Sequence, residues 1–146
     1  MKIHNETKLD FDDVLLVPQR SRTATRKHVD IKKKYLFYHS YREWNGVPIM
    51  AANMDTTGTF AMADAMANMG HICCLHKHYD LRDLMLYYTE RNLSILQYVW
   101  YSMGMKPAEF VKLKQFYTET GLQPNICIDV ANGYSEGFVD FLSLIH

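Results

Sequence analysis

Gly46-Val47-Pro48-Ile49-Met50-Ala51-Ala52-Asn53-Met54-Asp55 is an apolar run that stops abruptly at a polar cluster, and the same event recurs three more times along the chain. Ile72-Cys73-Cys74-Leu75 stops at His76-Lys77-His78. Tyr98-Val99-Trp100-Tyr101 stops at Ser102-Met103-Gly104, and Ile126-Cys127-Ile128 stops at Asp129-Val130-Ala131-Asn132. From Asn53 to His76, Ser102 and Asp129 the steps are 23, 26 and 27 residues. An amphipathic helical stretch fills each gap, which is the rhythm of a βα repeat. In such folds chemistry gathers at the carboxyl ends of parallel strands, so the four polar clusters are expected to converge on one face.

The helices between these runs have readable ends. Thr59 suits an N-cap, Met62, Met66 and Met69 fall on one face, and Gly70 suits the left-handed residue after the helix. Asp80 caps the next helix, with Asp83 in its first turn favoured by the dipole and Leu81, Leu84, Met85 and Tyr88 as its inner stripe. Pro107 sits well at the first position of a third helix, with Phe110, Leu113, Lys114 and Tyr117 on one face and Gly121 as its end. A fourth begins near Ser135. Upstream, residues 8–18 read as a short turn and an apolar run closed by Pro18. Residues 35–39 read as a strand, and Trp44-Asn45-Gly46 as a turn into the first repeat.

Composition narrows the class. The 146 residues carry 16 basic and 16 acidic side chains, and the zero formal charge argues against a nucleic-acid module. A hydrophobic content of 48% argues for a packed core. No apolar run is long enough to span a membrane, and the N-terminus lacks the apolar stretch of a signal peptide. Cys73, Cys74 and Cys127 cannot all pair and lie in strand-like runs, so they read as reduced, buried and cytosolic. A closed (β/α)8 barrel takes at least ~200 residues. Four βα units therefore make either a small open parallel sheet or the front half of a barrel. Residues 1–146 read as one such unit, with no second domain.

Each polar cluster has two readings from the residues alone. Asn53-Met54-Asp55 is a binding rim or a strand-end turn with a buried Met and an Asp cap. His76-Lys77-His78 is a solvated loop, or a His-x-His pair that zinc can use, although no third ligand has suitable spacing. Asp129 can accept hydrogen bonds from a ribose hydroxyl, or cap the helix after Asn132-Gly133. The basic stretch Arg20, Arg22, Arg26, Lys27, His28 and Lys32 to Lys34 reads first as a solvated face, and only weakly as an RNA contact, because no aromatic platform is interleaved.

Four segments carry a family resemblance in order and spacing: Lys8-Leu9-Asp10-Phe11-Asp12-Asp13-Val14-Leu15-Leu16, Gly46 through Thr56, His76-Lys77-His78-Tyr79, and Cys127-Ile128-Asp129-Val130-Ala131-Asn132-Gly133-Tyr134-Ser135-Glu136. The chain resembles the IMP dehydrogenase/GMP reductase family, on its reductase side, over essentially its whole length. The resemblance implies the first half of a (β/α)8 TIM barrel and NADPH-dependent reductive deamination of GMP to IMP and ammonia. It also implies a cytoplasmic homotetramer without membrane or nucleic-acid partners and without a metal.

Residue by residue, the resemblance puts Met54 in the purine pocket with Asn53 close by, and Lys77 near the nicotinamide half of NADPH. It puts Asp129 on a ribose, with Val130 and Ala131 along the same cofactor, and Thr25 and Arg26 at the adenosine-phosphate end, often across a subunit boundary. Arg offers a bidentate fork for phosphate. The family's nucleophilic cysteine, its threonine and glutamate and its phosphate loops lie downstream of His146, and Cys73, Cys74 and Cys127 do not match the nucleophile's motif. Lys77 and Asp129 are then supporting residues. Two alternatives stay open: an IMP dehydrogenase-type oxidoreductase, and a catalytically dead fragment acting only in binding or assembly. Trp100 and Tyr101 are bulkier than the small residues expected on their strand, so one must face a barrel interior and the other the helices.

Overall fold

The computed structural model describes residues 3–145, which fall into two units divided after Asp30. The first unit has little regular structure. Phe11–Asp13 is a 3-10 turn held by a reciprocal box, in which Phe11 N–H donates to Asp10 Oδ1 and Asp10 N–H to Asp13 Oδ2. Residues 14–17 follow as an exposed apolar run. Arg26–His28 is a second 3-10 turn, and Thr25 Oγ1 accepts from Lys27 N–H at 3.3 Å.

The second unit opens with an antiparallel pair, β1 (Lys33–Leu36) and β2 (Glu43–Gly46). Here the chain departs from the expected layout. Trp44-Asn45-Gly46 is a strand and not a turn, and the strand expected at 35–39 begins two residues earlier and ends at Leu36. Packing decides this. Trp44 is buried edge-on against Tyr98, 6.0 Å between ring centroids, and Tyr98 Oη donates to the Asn45 carbonyl at 2.8 Å. Gly46 is needed because a Cβ there would stand 2.6 Å from the Gly70 carbonyl.

The repeats follow as β3 (Met50–Ala51), α1 (Phe60–Asn68), β4 (Ile72–Cys74), α2 (Leu81–Thr89), α3 (Leu93–Leu96), β5 (Val99–Met103), α4 (Pro107–Thr120), β6 (Asn125–Ile128) and α5 (Glu136–Ile145). The four strands form one parallel sheet in the order β3-β4-β5-β6. Sequential order with no reversal is the order of a barrel wall, whereas a doubly wound sheet reverses at a switch point.

Caps end the helices where the residues ask for it. Thr59 Oγ1 accepts from Met62 N–H, Asp80 Oδ1 accepts from Asp83 N–H, and Pro107 opens α4. Gly70 and Gly121 close α1 and α4 at φ values of 75° and 66°, a region that favours glycine.

The core lies on one face of the sheet. Cys73, Leu75, Val99, Tyr101 and Met103 pack against Ala63 of α1, Leu84, Tyr87 and Tyr88 of α2, Leu96 of α3, and Leu113 and Phe116 of α4. Full burial of a side chain such as Phe116 contributes ~1.5–3 kcal/mol. On α4 the inward stripe is Phe110, Leu113 and Phe116, while Tyr117 of the expected face is half exposed. Strand alternation turns the neighbours Cys74, Trp100, Ser102 and Cys127 to the opposite face. Tyr101 thus faces the helices and Trp100 the other side. Cys127 is only half-buried, so the expectation of three buried cysteines holds for Cys73 and Cys74.

Candidate functional site

The four strands end side by side because the sheet is parallel and the crossovers all run through helices. The polar clusters after β3, β4 and β6 therefore share one rim, whereas Ser102 and Met103 lie within β5 and are buried, so the third run continues past its expected stop. Lys77 Nζ, after β4, lies 3.5 Å from Asp129 Oδ2, after β6, across 52 residues of sequence. His78 Nε2 lies 3.4 Å from Asp55 Oδ1, which ties the loop after β3 to the loop after β4. Asp129 N–H donates to the Met103 carbonyl at 2.8 Å, so the ends of β5 and β6 are joined as well. Asn53, Met54, Lys77, Asp129, Val130 and Ala131 all stand on this rim.

Several alternatives for single residues are settled by these contacts. Met54 is 63% exposed and is not a buried strand-end methionine. Asp55 does not cap α1, because Thr59 does. Asp129 does not cap α5. Ser135 Oγ accepts from Phe138 N–H there, while the Asp129 carboxylate turns to Lys77. Thr25 and Arg26 belong to the first unit, where Thr25 caps a 3-10 turn and Arg26 is exposed. Among the described residues no group of three or more His, Cys, Asp or Glu stands ready to hold a metal ion. No described helix is long and apolar enough to cross a membrane.

The backbone beneath the rim is tight. Gly58 N–H donates to the Met54 carbonyl at 2.7 Å, and the Gly58 carbonyl accepts from His76 N–H at 2.8 Å. A Cβ on Gly58 would stand 2.4 Å from the Cys74 carbonyl and 2.7 Å from His76 N. Glycine is required there by close approach of two backbones, a reason that no motif signals.

Electrostatics separate the polar groups. Burial holds the His76 imidazole below its ordinary range, opposed by Asp55 and assisted by His78 and Lys112. Burial pushes the Cys73 thiol up to about 11. Cys74 and Cys127 interact on the face of the sheet away from the helices, so the pair titrates as a unit, with Cys127 held below the ordinary thiol range and Cys74 pushed above it. The residues alone gave no signal for Asp55 as a partner of His78 or for the Cys74–Cys127 pair. Only strand register brings them together.

Three buried polar side-chain atoms here have no partner, His76 Nδ1 at the rim and Ser102 Oγ and Trp100 Nε1 on β5, and Trp44 Nε1 and His71 Nδ1 are likewise unpartnered elsewhere in the second unit. Orphaned buried donors and acceptors are rare in folded proteins. Lys77 and Asp129 set a cation and a carboxylate side by side on an exposed rim.

Comparison with known proteins bears on the same residues. The IMP dehydrogenase / GMP reductase domain profile matches residues 8–86. GMP reductase of Citrobacter koseri is 43% identical over 143 residues, covering 98% of this chain and 41% of its own length. GMP reductase of Escherichia coli O81 is 42% identical over the same span. The chain thus spans about two fifths of the length of the curated relatives it matches. Among solved structures, the inosine 5′-monophosphate dehydrogenase of Legionella pneumophila superposes with a TM-score of 0.70 at 24% identity, covering 92% of this chain and 39% of that one. The fold is α/β and forms part of a TIM-barrel wall.

Proposed function

The chain belongs to the IMP dehydrogenase/GMP reductase family, and on that premise we propose that it is the N-terminal part of an NADPH-dependent GMP reductase that converts GMP to IMP and ammonia. The observation that carries the reading is the Lys77–Asp129 pair at the shared rim, 3.5 Å apart, in a chain similar along its whole length to GMP reductases. Residues 1–146 would form the first half of a single catalytic domain, in a cytoplasmic homotetramer.

In this reading Lys77 supplies a fixed ammonium beside the cofactor's nicotinamide half. Asp129 accepts from a ribose hydroxyl, and the backbone of Val130 and Ala131 lines the same ligand. Asn53 and Met54 border the purine. Thr25 and Arg26 hold the adenosine-phosphate end, where a guanidinium gives a two-point contact to phosphate. NADPH, when bound, supplies the hydride. The chain's own residues bind and orient, and a positioned cation and carboxylate set the field where charge develops. Cys73, Cys74 and Cys127 are left out of the nucleophile's role, because their flanking residues do not match it.

An IMP dehydrogenase is the second reading. The link from the end of α2 at Thr89 to the start of β5 at Val99 holds only α3, which leaves no room for an inserted regulatory domain and favours the reductase. A protein carrying this chain, given GMP and NADPH or IMP and NAD, decides between them. Loss of NADPH with GMP is the expected result, and NADH formed from IMP contradicts it. The 146-residue chain alone is expected to show no turnover with GMP. Turnover at an ordinary enzymatic rate would force one of its three cysteines into the chemistry.

A further inference from the structure

Lys77 and His78 are exposed on a short loop, yet a cation useful to a ligand must be held in place. The residue that does the holding is Tyr79. Its ring lies between two others, 3.9 Å from His76 with 18° between planes and 3.7 Å from Phe60 with 10° between planes. The column continues from Phe60 to Tyr87 at 4.3 Å and 8°. At its foot the Arg91 guanidinium sits 4.2 Å from the Tyr87 ring centre. Tyr87 Oη donates to Asp64 Oδ1 at 2.7 Å, and Arg91 donates to both Asp64 oxygens at 2.9 and 3.3 Å.

Tyr79 is also tied through its other groups. Its hydroxyl accepts from the Phe60 N–H at 3.0 Å, in the first turn of α1. Its carbonyl accepts from Lys112 Nζ of α4, and the next residue, Asp80, caps α2. On the other side of Lys77, His76 N–H is fixed to the Gly58 carbonyl. Lys77 is therefore suspended between two anchored neighbours, and its reach to Asp129 depends on both.

We propose that Tyr79 is the positioning residue of the rim: the ring column it joins sets Lys77 against Asp129 and thereby tunes NADPH affinity. The affinity part rests on the reading that Lys77 faces NADPH. The ring, more than the hydroxyl, does the positioning, because it stacks on His76 beside Lys77 and on Phe60 of α1.

The test compares Tyr79→Leu and Tyr79→Phe in the whole 146-residue chain. Read out are the NADPH dissociation constant by fluorescence titration, amide hydrogen exchange at His76 and Lys77, and the His76 imidazole titration by NMR. Tyr79→Leu is expected to weaken NADPH binding at least tenfold and speed His76 amide exchange at least tenfold. It should also raise the His76 titration toward the ordinary imidazole value, since the ring supplies part of its burial. Tyr79→Phe should stay within threefold on all counts. Lys112→Met keeps every ring and is expected to loosen the His76 amide about threefold, which serves if the Leu variant does not fold.

Wild-type exchange and affinity in Tyr79→Leu would overturn the proposal. So would equal losses in the Leu and Phe variants, or faster exchange spread evenly over β4, β5 and β6. If the wild-type chain binds no NADPH, the premise that Lys77 faces NADPH in this chain fails and the affinity part with it, while the exchange and titration results still judge the positioning role.

Discussion

The two faces of the parallel sheet differ more than any other pair of regions in the molecule. One face is closed by α1, α2 and α4 and holds Cys73, Val99, Tyr101 and Met103, each at most 2% exposed. The other carries Cys74 and Ser102, which are 2% and 6% exposed, with half-buried Trp100 and Cys127 and an indole N–H and a serine hydroxyl that have no partner. The closed face is a finished core. The opposite face and the rim above it keep polar, unpaired and titratable groups, which cost stability and are retained where a ligand or further chain meets them. Stability and ligand recognition are thus divided between the faces, and substitutions should separate them.

The largest effect is expected on the closed face. Phe116→Ala removes a fully buried ring that meets Tyr88 and Tyr101 edge-on or tilted. It should cost about 3–5 kcal/mol in urea unfolding. A loss of under 1 kcal/mol would mean that the helical layer is not the core. Next comes the seam beneath the rim. Gly58→Ala drives a methyl group into the Cys74 carbonyl and His76 N, and overpacking of this kind costs about 1–3 kcal/mol. Its His76 amide should also exchange faster, and an unchanged midpoint would show that the two backbones are not so close.

The opposite face should behave in the contrary way. Trp100→Phe loses an indole whose N–H is buried without a partner. The lost packing and the relieved desolvation offset one another, so the unfolding midpoint should move by less than about 1 kcal/mol. A loss as large as that of Phe116→Ala would erase the distinction between the faces.

The smallest effect is a pH dependence. His76 titrates below its ordinary value of 6.5 because it is buried, with Asp55 opposing and His78 and Lys112 adding to the lowering. The unfolded chain then binds the proton more readily than the folded one. This contribution to stability is complete above the ordinary value and is lost as pH falls through the lowered one. Urea midpoints between about pH 8 and about pH 5 should decline, and the decline should shrink in His76→Asn. Midpoints that rise on acidification would reverse the assignment of His76 to a buried place.

Much of this layout is legible in the residues before any coordinates. The runs of β3, β4 and β6 end in polar residues because a parallel strand buried on its flank emerges at a rim, and that switch is local, whereas Ser102 and Met103 stay buried inside β5. Thr59, Asp80, Pro107, Gly70 and Gly121 act through their own backbone geometry, so their roles are readable in place. What was not readable depends on distant partners. Trp44-Asn45-Gly46 has turn-like composition, and only Tyr98 and Gly70 make it a strand. Phe116 rather than Tyr117 faces inward because Tyr88 and Tyr101 meet it there. Gly58 and the column of His76, Tyr79, Phe60 and Tyr87 join residues from separate elements at no sequence period.

The account stands on one rim assembled from separate strand ends, with Lys77 and Asp129 seated together on it. The most direct measurement is an NMR titration of the isotope-labelled chain with NADPH, following backbone amides. Lys77, Asp129, Val130 and Ala131 are expected to shift together along one binding curve, with the Phe116 and Val99 amides of the closed face unmoved. Shifts confined to the closed face, or shifts at Lys77 and Asp129 that follow two unrelated curves, would contradict it.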